Sequence, residues 1–313
     1  MDGKDRKILY ALDFHGRDPV SRIAKKLRMS EDTASYRIKR LEKAGVIKSY
    51  YLVPDTTKLG LVSYKIMLKY QNTNAEVEQE IVDYLKAADE VGWLVRTEGH
   101  YDVMFISWVK NEFLFDAFFM KFLDRFGQYF YLRDMVIITE NHACRKAYLS
   151  SERNARKDEV FYVGEPKNIC DDTDLRIIDL LMKDARMQTT EIARRVGLTP
   201  EAIGYRLRQL RKRGVVVAFR PRIDLNRIGY YYYNVLFRLN KTSAIPRLFS
   251  YARQNPNVTY FVRYVGAYDV GFDIDAESPE RFREILTEIR GLFASEINNY
   301  NYVLVYDEVK ITY

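Results

Sequence analysis

A chain of 313 residues with a net charge of +7, 47% hydrophobic and 30% charged residues has a globular composition and enough length for two domains or more. No stretch approaches the ~18 uncharged apolar residues that a membrane-crossing helix needs, and the N-terminus is too charged for a signal peptide, so a cytoplasmic protein without a membrane partner is expected. Cys144 and Cys170 lack the neighbours for a disulfide framework or a metal site, and no cofactor or metal is expected.

The first predicted element is an amphipathic helix with Ile8, Leu9 and Leu12 on one face. A second starts at Asp18-Pro19, read as an N-cap followed by a first-turn proline, and turns Ile23, Ala24 and Leu27 inward. Three residues later Ser30 caps a third, in which Ala34, Ile38 and Leu41 form the buried stripe and Gly45 ends the helix. This is helix-turn-helix spacing. The opposite face displays Ser35, Tyr36, Lys39, Arg40 and Lys43, groups suited to phosphates and base edges. The β-prone stretch from Val46 to Val53 reads as a wing, with Lys48 near the flanking phosphates.

Alternation of Val62, Tyr64, Ile66, Leu68 and Tyr70 predicts a half-buried strand. A helix, two strands joined around residues 98–102, a helix over 111–126 and a long final strand follow, giving the βαββαβ order of a ferredoxin-like sandwich. The charged stretch from Ser150 reads as a linker, with Phe161, Tyr162 and Val163 packing onto a neighbouring domain.

The pattern then begins again. At an offset of 169, Asp5, Ile8, Ile23, Ala24, Tyr36, Arg37, Leu41, Gly45, Asp55 and Gly60 meet Asp174, Ile177, Ile192, Ala193, Tyr205, Arg206, Leu210, Gly214, Asp224 and Gly229, which indicates a duplication. In the second copy Thr199 caps the third helix, Gly204, Tyr205, Arg208, Gln209 and Lys212 take the outward face, and Arg220 and Arg222 lie on the predicted wing. The fold class is therefore α+β, a tandem repeat: winged helix-turn-helix at 1–55, ferredoxin-like domain at 56–149, linker at 150–171, winged helix-turn-helix at 172–224 and ferredoxin-like domain at 225–313. Lys and Arg exceed Asp and Glu by 5 in residues 1–55 and by 5 in residues 172–224, so the remainder is mildly acidic. That distribution points to double-stranded DNA as the partner of the two helical units.

The run from Ala34 to Ile47, with the later Gly99-x-Tyr101-Asp102, resembles the Lrp/AsnC (feast/famine) transcription regulators, and both halves carry the likeness. The resemblance implies a RAM (amino-acid-metabolism regulation) domain after each helix-turn-helix, an intramolecular pseudo-dimer with room for further homo-oligomerisation, and an amino-acid effector near Gly99, Tyr101 and Asp102 and near Gly266, Tyr268 and Asp269. Those residues equally suit a tight hairpin turn. Arg96 and Arg263, at equivalent positions, suit either ion pairs or ligand anchors.

An enzyme is the main alternative, because siroheme decarboxylases are built on the same two-domain framework. Only His15, His100 and His142 are present, and His100-Tyr101-Asp102-Val103 resembles the decarboxylase pattern in one copy alone. With no nucleophile elbow, phosphate loop or paired acid/base carboxylates, the sequence reads as a non-enzyme. A DNA-binding architectural protein without effector is the third reading.

Overall fold

The computed structural model describes residues 1–150 and 160–311, with side chains placed outside 160–163; the charged run 151–159 lies outside the described residues. The first module runs α1 (Gly3–Leu12), α2 (Val20–Leu27), α3 (Glu31–Lys43), β1 (Ile47–Pro54), β2 (Val62–Tyr70), α4 (Ala75–Ala87), β3 (Val91–Gly99), β4 (Val103–Val109), α5 (Glu112–Phe126) and β5 (Phe130–Ala143). After β6 (Val160–Val163), the second repeats it as α6 (Asp172–Lys183), α7 (Thr189–Val196), α8 (Pro200–Lys212), β7 (Val216–Ile223), β8 (Tyr231–Leu239), α9 (Ile245–Gln254), β9 (Val258–Gly266), β10 (Val270–Ala276), α10 (Pro279–Leu292) and β11 (Ile297–Ile311).

Local chemistry sets the helical units. The Ser30 and Thr199 hydroxyls accept hydrogen bonds from the backbone N–H of Thr33 and Ala202, capping α3 and α8, and Gly45 and Gly214 end the two helices at φ +68°. The α2 start falls one residue later than its sequence suggests: Pro19 occupies the N-cap position, and Asp18 faces Arg22 and His15. A duplicated clamp explains two of the repeated residues. Arg37 bridges Asp2 and Asp5, each at 2.8 Å, and Arg206 bridges Asp171 and Asp174 at the same distances, tying each third helix to the first.

The strands read as wings fold differently. β1 and β7 pair antiparallel with each other, from Ile47 opposite Ile223 to Pro54 opposite Val216, making one ribbon between the two helical units. Among the described residues, neither strand pairs with a return strand of its own module. The pairing also lets Leu52 of the first module enter the core of the second helical unit beside Ile177, Ile203 and Phe219, while Ile228 and Tyr230 enter that of the first. Cross-burial of apolar side chains therefore drives the exchange.

The remaining strands form a nine-stranded antiparallel sheet in the order β2-β4-β3-β11-β8-β10-β9-β5-β6. β5 pairs with both β2 and β9, so eight strands close into a barrel with four helices outside. Closure follows from length: β5 and β11 span 14 and 15 residues, and each pairs partly within its own module and partly with the other. No strand edge in the ring is left open. The half-buried reading of β2 is corrected accordingly: Tyr64, Ile66 and Leu68 pack beneath α4 and α5, while Lys65 and Met67 face the equally buried barrel interior. The expected linker is tied down in part, since Val160–Val163 pairs with β5 and the Lys167 and Ile169 N–H groups donate to Thr57 and Lys58; the packing expected of Phe161, Tyr162 and Val163 lies outside the described side chains.

Candidate functional site

The α3 and α8 faces opposite the buried stripes are exposed. Tyr36 and Tyr205 are 67% and 58% exposed, and Lys39, Lys43, Arg208 and Lys212 are open to solvent. Among the described residues, none of those four cations makes an ion pair. Ser35 and Gln209 are half-buried. Arg40 is exposed but donates to Asp5 at 2.6 Å. Ser30 and Thr199 are exposed, with their hydroxyls committed to the caps.

Two expected DNA contacts are corrected by the ribbon. Arg220 is 1% exposed; its Nε donates to Asp13 Oδ1 at 2.7 Å and its Nη1 to the Tyr260 hydroxyl at 3.0 Å. Arg222 pairs with Glu308 at 3.3 Å, and Lys48 with Asp224 at 3.1 Å. Pairing β1 with β7 places both arginines in the walls of the space between ribbon and barrel, Arg220 buried and Arg222 half-buried and ion-paired.

The two Gly-x-Tyr-Asp turns meet at one end of the barrel. The Tyr101 and Tyr268 hydroxyls lie 2.6 Å apart; Tyr101 donates to Asp134 at 2.6 Å, and Asn301 donates to Tyr268 at 2.8 Å. Burial, with the Asp134 carboxylate beside it, pushes the Tyr101 phenol up. Asp102 accepts from the Tyr70 N–H at 2.8 Å and from Lys69, and Asp269 from the Leu239 N–H at 2.7 Å. Gly99 and Gly266 sit at φ +126° and +135°, where an added Cβ would stand 2.9 and 2.6 Å from the carbonyl oxygens of Tyr302 and Met135. The turn reading thus accounts for all six residues. Of the equivalent arginines, Arg263 ion-pairs with Glu140 at 2.8 Å, whereas Arg96 donates to the neutral Gln79 and lies 3.9 Å from Asp307. His100 is exposed, His15 faces Asp18, and His142 is buried against Glu140.

The opposite end of the barrel holds a cavity of about 130 Å³ roofed by the ribbon, with Lys65, Trp93, Ile106, Asp273 and Glu308 in its walls. Lys65 donates to Asn234 Oδ1 at 3.0 Å and lies 5.6 Å from the Trp93 ring centre. Asp273 accepts from Asn234 Nδ2 at 2.6 Å and the Tyr232 hydroxyl at 2.8 Å. Burial pushes the Lys65 ammonium from 10.5 down to about 8, with Asp273 opposing, and pushes the Asp273 carboxyl up. Sequence reasoning missed these residues because each takes the outward place in its strand's alternation and becomes interior only when the barrel closes.

A stability test follows from Lys65. Its folded pKa is depressed, so its cost to folding is absent above the unfolded value, grows as pH falls from about 10.5 to about 8 and is constant below. Lys65→Met should therefore gain about 3 kcal/mol more over the wild type at pH 7 than above pH 10.5 in urea unfolding. A pH-independent difference contradicts the burial of that charge.

This architecture defines a tandem helix-turn-helix protein in which one chain supplies both halves of a pseudo-dimer. The sequence signature of the AsnC-type helix-turn-helix domain matches residues 1–42 and 171–211. The HTH-type transcriptional regulator LrpA of Pyrococcus horikoshii is 31% identical over 112 residues, covering 36% of this chain and 77% of that protein; LrpC of Bacillus subtilis is 29% identical over 118 residues, covering 38% and 82%. The chain belongs to the Lrp/AsnC family of transcriptional regulators.

Across its full length the fold is similar to the crystal structure of the siroheme decarboxylase NirDL, with a TM-score of 0.61, 16% identity and coverage of 99% of this chain and 93% of that one. At that identity the likeness is one of fold. It nevertheless corrects the expectation of a non-enzyme: a chain of this whole architecture is an enzyme, so missing catalytic motifs do not exclude catalysis.

Proposed function

We propose that the chain is a sequence-specific regulator that reads duplex DNA through the outward faces of α3 and α8, acts in the cytoplasm and answers to a small effector of the amino-acid type. Residues 1–55 and 172–224 serve as the DNA-reading units in this proposal, and 56–149 and 225–313 as the ferredoxin-like domains. The carrying observation is a contrast among the cations. Among the described residues, Lys39, Lys43, Arg208 and Lys212 are exposed without ion pairs on the third helices, whereas Arg37, Arg206, Arg220 and Arg222 are held by internal carboxylates. Unpaired cations beside Tyr36 and Tyr205 suit phosphates and base edges. Family membership supports the DNA reading, and the resemblance to amino-acid-responsive regulators supports the effector.

Selection from a pool of random duplexes tests this reading. The expected result is one enriched site with two half-sites and a steep salt dependence of its affinity. Absence of any enriched sequence overturns it.

A further inference from the structure

Four cations line the cavity between barrel and ribbon, and three are matched: Lys146 by Asp275, Arg220 by Asp13 and Arg222 by Glu308. Lys65 is the exception: among the described residues its hydrogen-bond partners are Asn234 and the Tyr264 hydroxyl, both neutral. The carboxylate whose charge acts on Lys65, Asp273, is likewise held by the neutral Asn234 and Tyr232. One amide, Asn234, thus stands between a buried cation and a buried anion, keeping them apart.

Keeping two unlike charges buried and separated costs free energy that a ligand with complementary charges recovers. The remaining walls include Ile106, Ile138 and Val262, with Trp93 fixed through its indole N–H on Glu308 at 3.1 Å. A cavity of about 130 Å³ is close to the engineered apolar cavity of about 150 Å³ that admits benzene, which limits the apolar body to a few carbons.

We infer that this cavity binds a small zwitterion with a short aliphatic body, its carboxylate on Lys65 and its ammonium on Asp273. The inference rests on the reading that a small molecule controls this regulator, and deepens it by placing the site. The duplication supplies one such site per chain: at equivalent positions in the repeat, Lys65 corresponds to Asn234 and Asp273 to Ile106, so the charged pair exists in one orientation only. Pro221, Arg222 and Ile223 of the ribbon form part of the lining, so an occupant touches the strand that follows α8. Occupancy thereby bears on the relative placement of the two recognition helices.

Titration calorimetry on the full chain without DNA tests the site with valine and its two halves, 3-methylbutanoate and isobutylamine. Valine should bind once per chain, and each half at least about tenfold more weakly, the reduction expected when one charge-assisted hydrogen bond is missing. Lys65→Met and Asp273→Asn should each weaken valine by about tenfold or more; should either fail to fold, Ile106→Phe, which fills the cavity and leaves both charges in place, should give the same loss. No valine binding, two equivalents per chain, or binding indifferent to these variants overturns the inference. Valine bound in the cavity without effect on DNA affinity keeps the site and overturns the control reading. A valine effect on DNA that survives Lys65→Met does the reverse.

Discussion

Lys39→Ala combined with Arg208→Ala should lower affinity for the selected duplex by about tenfold to a thousandfold and reduce the slope of log affinity against log salt by about two. Both side chains are exposed on the proposed reading faces, and neither makes an ion pair among the described residues. A phosphate deprived of its cation lowers the slope by roughly 0.9, and a base edge deprived of its partner gives up about 1–3 kcal/mol of discrimination. The thermal midpoint should stay within the range of ordinary surface substitutions, about 0.5 kcal/mol in stability. Replacing Arg37 or Arg206 acts differently, because each clamps a third helix to the first and its removal reaches stability before binding. Anisotropy titrations over a salt series, with melting curves on the same samples, separate the two outcomes. Unchanged affinity for Lys39→Ala with Arg208→Ala means that another face meets the duplex.

Arg220→Met should cost about 3–5 kcal/mol, because it leaves Asp13 as a buried carboxylate without its cation. Asp13 then keeps the Lys146 backbone N–H at 2.8 Å, too little to replace a guanidinium. The pair also joins three parts of the molecule: Asp13 follows α1, Arg220 lies on β7, and Tyr260, which accepts from Arg220, lies on β9 of the barrel. Adding Asp13→Leu to Arg220→Met should restore much of the stability, since a buried ion pair replaced by apolar groups of similar volume is often neutral or better. Urea unfolding of the wild type, the single variant and the double variant checks both statements. A single-variant cost below about 1 kcal/mol contradicts the burial of this pair.

What the sequence reveals plainly is local. The third-helix caps at Ser30 and Thr199, the terminating glycines at 45 and 214, and the buried stripe of Ala34, Ile38 and Leu41 all depend on residues within one or two turns of each other, and the structure has them as read. The order of the elements in each ferredoxin-like half is legible for the same reason. What stays hidden depends on pairing between distant residues. Ile47 and Ile223 are the first partners of the ribbon, and Val136 and Gly266 help close the barrel; no signal near any of them names its partner. Arg220 and Arg222 therefore read as wing cations, and nothing in the strand alternation singles out Lys65 or Asp273. Gly-x-Tyr-Asp is ambiguous for another reason. A turn that must pass against a neighbouring backbone and a turn that must approach a ligand ask for the same glycine, and the meeting of Tyr101 and Tyr268 across the two modules is visible only in three dimensions.

The two copies have kept their clamps and caps but diverged on their reading faces, with Ser35, Lys39 and Arg40 opposite Gly204, Arg208 and Gln209. Identical helices in a symmetric dimer read a palindrome. One chain carrying two unlike helices on a shared ribbon and barrel should read two unlike half-sites. The half-site pattern recovered from random duplexes is therefore the most direct measurement: two different half-sites at fixed spacing, bound by one chain, is the expected result, whereas a perfect palindrome bound by one chain, or no enriched sequence, contradicts the account.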